Sequence, residues 1–141
     1  APTTLRAFVE ALAAQLPPTA GGIRVSGPAT ASVCRVAVLG GSGDDRFAAV
    51  RGAGADVYVT ADLRHHPASE AREEARGGPP YLVDAGHWAT EWLWLASAQE
   101  RLLAALATTS AEGTTVGTYV STLRTDPWDF VVGALDAGGA H

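Results

Sequence analysis

The chain has 141 residues, 47% of them hydrophobic, and a formal net charge of −5, which is enough length for one substantial core with an apolar share ordinary for a globular domain. The acidic balance argues against a broad basic face, so no nucleic-acid partner is expected. No apolar run approaches the roughly 20 residues of a membrane span and no secretory leader is readable, so a cytoplasmic protein without a membrane partner is expected, and the lone Cys34 in an apolar run reads as a buried structural thiol.

In chain order, Thr3 or Thr4 can cap a helix whose apolar residues Leu5, Phe8, Val9, Leu12 and Leu16 recur at helical spacing, with Pro17 and Pro18 as its stop. A short strand follows over 22–27. Cys34 to Leu39 is a continuous apolar run of the kind found in a strand covered on both faces, and Gly40-Gly41-Ser42-Gly43 turns from it into a helix over about 44–51. The next strand covers 56–60. Pro67 suits the first residue of a helix reaching about Arg76, and a Gly-Gly-Pro-Pro break precedes a strand over 81–83. A long helix is expected from about Trp88 to Ala107, a loosely alternating final strand over 114–123, and a frayed tail over 136–141. Strands alternating with helices predict an α/β sandwich: one domain over 1–141, with a mixed sheet and helices on both faces. Within it, 1–32 forms a helix and lead-in, 33–128 the core, and 129–141 the tail.

His87 and Glu91 stand four residues apart, on one face of the predicted long helix and just past the strand ending near Asp84. A neutral imidazole and a carboxylate presented together at that edge are suitable ligands for a divalent transition metal, although the same spacing also occurs in plain solvated contacts. Two ligands leave a shell incomplete. Asp62, His65 and His66 follow the strand that ends at Thr60 and are placed near the same edge. Asp62 fits either an acceptor orienting an imidazole or a cap on the loop before Pro67. Asp84 is open between a cleft role and simple dipole stabilisation at a helix start.

The Gly-rich turn has the layout of a phosphate cradle, but Asp44 and Asp45 in the predicted first helical turn would repel an anion, and neither a P-loop Lys nor a complete G-x-G-x-x-G is present. Tight-turn and capping use is the main reading, with Gly41 as a wall of the cleft as the other. Trp88, Trp92, Trp94 and Leu95 surround the start of the long helix, so one face is expected on the sheet and another against a partner, dense packing within the domain being the alternative.

Four motifs in order carry a resemblance over roughly 33–128: Val36 to Gly43, Gly54 to His66, Leu82 to Glu91, and Val120 to Pro127. Together they resemble the dinuclear metal-centre hexamer family, the GTP cyclohydrolase 1 type 2 homologues or NGG-interacting-factor-like proteins, and specifically the C-terminal half of its members. The resemblance implies two similar α/β halves facing each other across two divalent ions per subunit, of Zn, Mn, Fe or Mg type. His87 and Glu91 correspond to the ligands of this half, while a pair of histidines and an aspartate belong to the half that is missing here. It aligns His66 with a cleft histidine and leaves His65 solvated. The start at Ala1-Pro2 and the absence of Met suit an excised domain, whereas the use of Arg for all ten basic residues reads as coding bias. The implied function is a metal-dependent hydrolase of a nucleotide or related small substrate when full-length, inactive as this piece. The alternative is a non-enzymatic metal-handling or regulatory interaction protein. The missing half is the expected partner, with a hexamer for the whole protein and a dimer for the piece.

Overall fold

The computed structural model describes residues 1–109 and 115–134. Strand β1 (Thr3–Thr4) leads directly into helix α1 (Leu5–Ala13), and β2 (Arg24–Ser26), β3 (Ser32–Val33) and β4 (Val36–Ser42) follow. Then come α2 (Phe47–Gly52), β5 (Val57–Ala61), α3 (His65–Glu74), β6 (Tyr81–Asp84), α4 (His87–Trp92) and α5 (Trp94–Thr109). A four-stranded sheet runs in the order β2-β6-β5-β4; its last three strands are parallel and β2 is antiparallel to β6. β1 and β3 make a separate antiparallel pair. The protein is therefore a mixed α/β sandwich, as the alternation of elements predicts.

Period-two alternation on β5 and β6 divides the core between the two faces of the sheet. Val57, Val59 and Val83 point to one face, where Leu5 of α1 is fully buried and Phe8, Val9 and Leu12 pack alongside. Tyr58 and Leu82 point to the other, against Phe47 and Val50 of α2 and Ala71 of α3. Thr4 caps α1, its hydroxyl accepting from the Ala7 N–H at 3.2 Å. The helix stops at Ala13, a turn earlier than Pro17 requires, and Leu16 packs on the core from the turn that follows.

Several expectations are corrected. β4 is an edge strand, not one covered on both faces: Val38 is 71% exposed, and only Gly41 of its seven residues is buried. Cys34 is exposed and precedes β4, so it is neither buried nor part of that strand. Asp44 and Asp45 lie ahead of α2, and Gly40, Gly41 and Ser42 belong to β4, whose pairing with β5 shifts register between Val38 and Ser42. The run is a bulged strand end. The single long helix is two, α4 and α5, broken at Leu93. Residues 115–123 form no strand; they lie along α4 and α5, where Gln99 donates to the Thr118 hydroxyl at 2.9 Å and Trp92 Nε1 donates to the Ser121 carbonyl at 2.9 Å. The expected tail over 136–141 lies outside the described residues. Among the described residues no helix is long and apolar enough to cross a membrane.

Candidate metal centre

Three neighbouring parallel strands deliver the site from their carboxyl ends. β4 brings Gly41, the residue after β5 is Asp62, and β6 leads through Ala85 and Gly86 into α4, which opens with His87. Open α/β sheets hold ligands at this edge because connections diverge there and leave a crevice. His87 Nδ1 lies 2.6 Å from Asp62 Oδ2, and His87 Nε2 lies 3.1 Å from Glu91 Oε2, one helical turn further along α4. All three side chains are about half exposed. The Asp62 hydrogen bond raises the imidazolium pKa above its ordinary 6.5; partial burial opposes this and the Glu91 charge reinforces it.

Hydroxyl clamps fix β4 against its neighbours. Buried Thr60 of β5 donates to the Gly41 carbonyl at 3.0 Å, Tyr58 donates to the Gly43 carbonyl at 2.9 Å, and the Gly41 N–H donates to the Thr90 hydroxyl at 3.0 Å. Gly41 adopts a φ of +72°, and a Cβ there would collide with the Glu91 carboxylate and lie 3.3 Å from His87 Nε2. A glycine at this position thus serves close approach of the backbone to the His87–Glu91 pair; Gly41 is buried and is not among the residues lining the cleft around His87.

Asp84 is 7% exposed, pairs with Arg24 across from β2, and accepts from the Leu63 N–H at 3.2 Å. It ties the loop after Asp62 to the sheet. His65 and His66 sit at the exposed start of α3, rings edge to face with centroids 5.3 Å apart. His66 is not among the residues lining the cleft that holds His87. That cleft, of about 900 Å3, is lined by Asp62, His87, Trp88, Glu91, Asp126 and Trp128 among others. Trp88 and Trp92 pack tilted with centroids 6.3 Å apart, while Trp94 is 55% exposed beneath the Arg101 guanidinium.

Thr60, Thr90, Arg24 and Trp128 were not singled out by the sequence. Thr90 lies three residues past His87 on the same helix, a spacing that would have marked it as a neighbour. The others are brought in by tertiary pairing alone.

His87 and Glu91 fit a divalent ion in donor chemistry, with the far ring nitrogen anchored and the near one beside a carboxylate. Among the described residues no group of three or more His, Cys, Asp or Glu side chains is arranged to hold a metal ion, so the pair by itself is not a complete shell.

A family model described as Duf34/NIF3 (NGG1p interacting factor 3) matches residues 1–127. A GTP cyclohydrolase 1 type 2 homolog of Streptomyces coelicolor is 45% identical over 141 residues, covering 99% of this chain and 47% of that protein. One from Mycobacterium tuberculosis is 45% identical over 128 residues, covering 91% of this chain and 31% of that protein. The crystal structure of a Bacillus cereus protein related to NIF3 superposes with a TM-score of 0.75 at 32% identity, covering 93% of this chain and 34% of that one. The chain thus spans less than half the length of these relatives.

Proposed function

The chain belongs to the Duf34/NIF3 family, and from that premise we propose that it forms one side of a two-ion site in a metal-dependent hydrolase of a nucleotide or related small substrate, with His87 and Glu91 as its ligands. The observation that carries this reading is the His87 ring, held at Nδ1 and turned at Nε2 toward Glu91, in a cleft of about 900 Å3. Divalent ions there would supply Lewis-acid activation of water. The chain's own part is to present a nitrogen and a carboxylate together, to keep the approach clear at Gly41, and to wall the cleft with Trp88 and Trp128. This reading assigns the rest of the shell to the length that the relatives have beyond this chain, which covers 47% and 31% of two of them.

Calorimetric titration of Zn²⁺ or Mn²⁺ into the chain and into His87→Ala tests the ligand assignment. Weak binding that His87→Ala abolishes is expected; tight stoichiometric binding unchanged by the substitution overturns it. Hydrolysis of a nucleotide panel should require the longer protein, and equal rates for the 141-residue chain would refute the two-sided site.

A second reading, a metal-handling or regulatory interaction protein, draws on the apolar exposure of α5, where Trp94, Leu95, Leu102 and Leu103 face outward. A longer protein that binds metal with no turnover across the panel would favour it.

A further inference from the structure

We infer that Asp62 is a positioning residue for His87, fixing the proton of the neutral ring on Nδ1 so that Nε2 is the atom offered to a cation, and that Asp84 holds Asp62 in place. The inference rests on the metal-ligand reading of His87 given above. Three observations meet here.

The first is contact: Asp62 Oδ2 lies 2.6 Å from Nδ1, on the far side of the ring from Glu91. Both ring nitrogens face a carboxylate, and the shorter contact, 2.6 Å at Asp62 against 3.1 Å at Glu91, favours the Nδ1–H tautomer in the neutral ring and leaves the Nε2 lone pair toward Glu91. The second is backbone conformation. Asp62 has a φ of +54°, in the left-handed region that few non-glycine residues occupy, although Asp tolerates it better than most. Such a conformation persists only where its surroundings over-determine it. The third observation supplies those surroundings. The buried Asp84 carboxylate accepts the N–H of Leu63, the residue immediately after Asp62, and Arg24 pairs with the same carboxylate while its guanidinium reaches toward the Leu63 carbonyl at 3.5 Å. The chain is thereby tied to β6 and β2 one residue past the turn. Since β6 also leads into His87, one strand carries both the imidazole and the anchor of the carboxylate that orients it.

Capping the loop before Pro67 accounts for none of this, because no side chain caps α3 and its N-cap is Arg64.

The test uses Asp62→Gly, which removes the carboxylate while accepting the positive φ, and Asp62→Asn, which keeps an acceptor oxygen. Nitrogen-15 shifts of the His87 ring are recorded in metal-free protein on the alkaline side of its titration, where the ring is neutral, and Mn²⁺ affinity is measured in parallel. The native chain and Asp62→Asn should show the Nδ1–H form, and Asp62→Gly a mixture of tautomers with Mn²⁺ bound about 10- to 100-fold more weakly, the range usual for loss of a ligand's supporting carboxylate. Asp84→Asn should move the same shifts in the same direction by less. An unchanged tautomer in Asp62→Gly overturns the inference whatever the metal data show. If His87→Ala leaves Mn²⁺ binding intact, the ligand reading fails instead, and the ring shifts still decide the role of Asp62.

Discussion

The backbone of Gly41 lies against the carboxylate of Glu91, whose Cδ is 3.2 Å from where a Gly41 Cβ would stand. β4 and α4 therefore meet at a point that admits no side chain. Gly41→Ala should act twice: the positive φ costs about 1–2 kcal/mol, and the methyl displaces Glu91 and crowds Nε2 of His87. A lower melting temperature together with weaker Mn²⁺ binding is expected. Native values for both would show that the strand end yields freely.

Thr60→Val removes the hydroxyl that donates to the Gly41 carbonyl while keeping the shape of a fully buried side chain. An orphaned buried acceptor costs about 1–3 kcal/mol. Urea unfolding should show a loss of that size; a midpoint within error of the native chain would mean that the carbonyl finds another donor.

Asp56 gives a pH signature away from the metal site. The backbone N–H groups of Arg35 and Cys34 donate to its carboxylate at 2.7 and 2.8 Å and hold its pKa below the ordinary 3.8. A depressed carboxyl contributes stability that is fully present above the ordinary value and is lost as pH falls through the folded one. Asp56→Asn should therefore lower the melting temperature at neutral pH, and the gap from the native chain should close in acid below 3.8. A gap that stays constant or widens in acid would reverse the sign of this contribution.

The outward face of α5 predicts association. With Trp94, Leu102 and Leu103 between 38% and 55% exposed, the chain should sediment as a concentration-dependent dimer. Trp94→Ser should shift that equilibrium toward monomer. A strict monomer at the highest concentration, with Trp94 shielded from quencher, would count against this face as a contact.

The central strands and the site's principal pair were legible in the sequence because their signals are local. Val57 to Ala61 and Tyr81 to Asp84 are short apolar runs between turn residues, and the spacing of His87 and Glu91 alone puts them on one helical face. What stayed hidden depends on partners distant in sequence. An apolar run such as Cys34 to Leu39 looks the same at the edge of a sheet as in its middle, and the position of β4 follows only from strand order. The break at Leu93 has no Gly or Pro to announce it. Residues 115–123 alternate, yet a strand needs an edge to pair with, and their backbone instead takes the Trp92 indole. For His66, α3 begins two residues ahead of Pro67, so the two histidines open the helix instead of lying in the loop before it, and element boundaries are what a sequence fixes least.

β4 forms the open margin of the sheet and also carries Gly41, which touches Glu91 and hangs from Thr90. The bulge between Val38 and Ser42 and the Gly41 N–H bond to Thr90 of α4 interrupt its outer hydrogen-bonding groups, and in this way an edge strand is kept from pairing with another. Any movement of that margin is therefore passed to the backbone that borders His87 and Glu91.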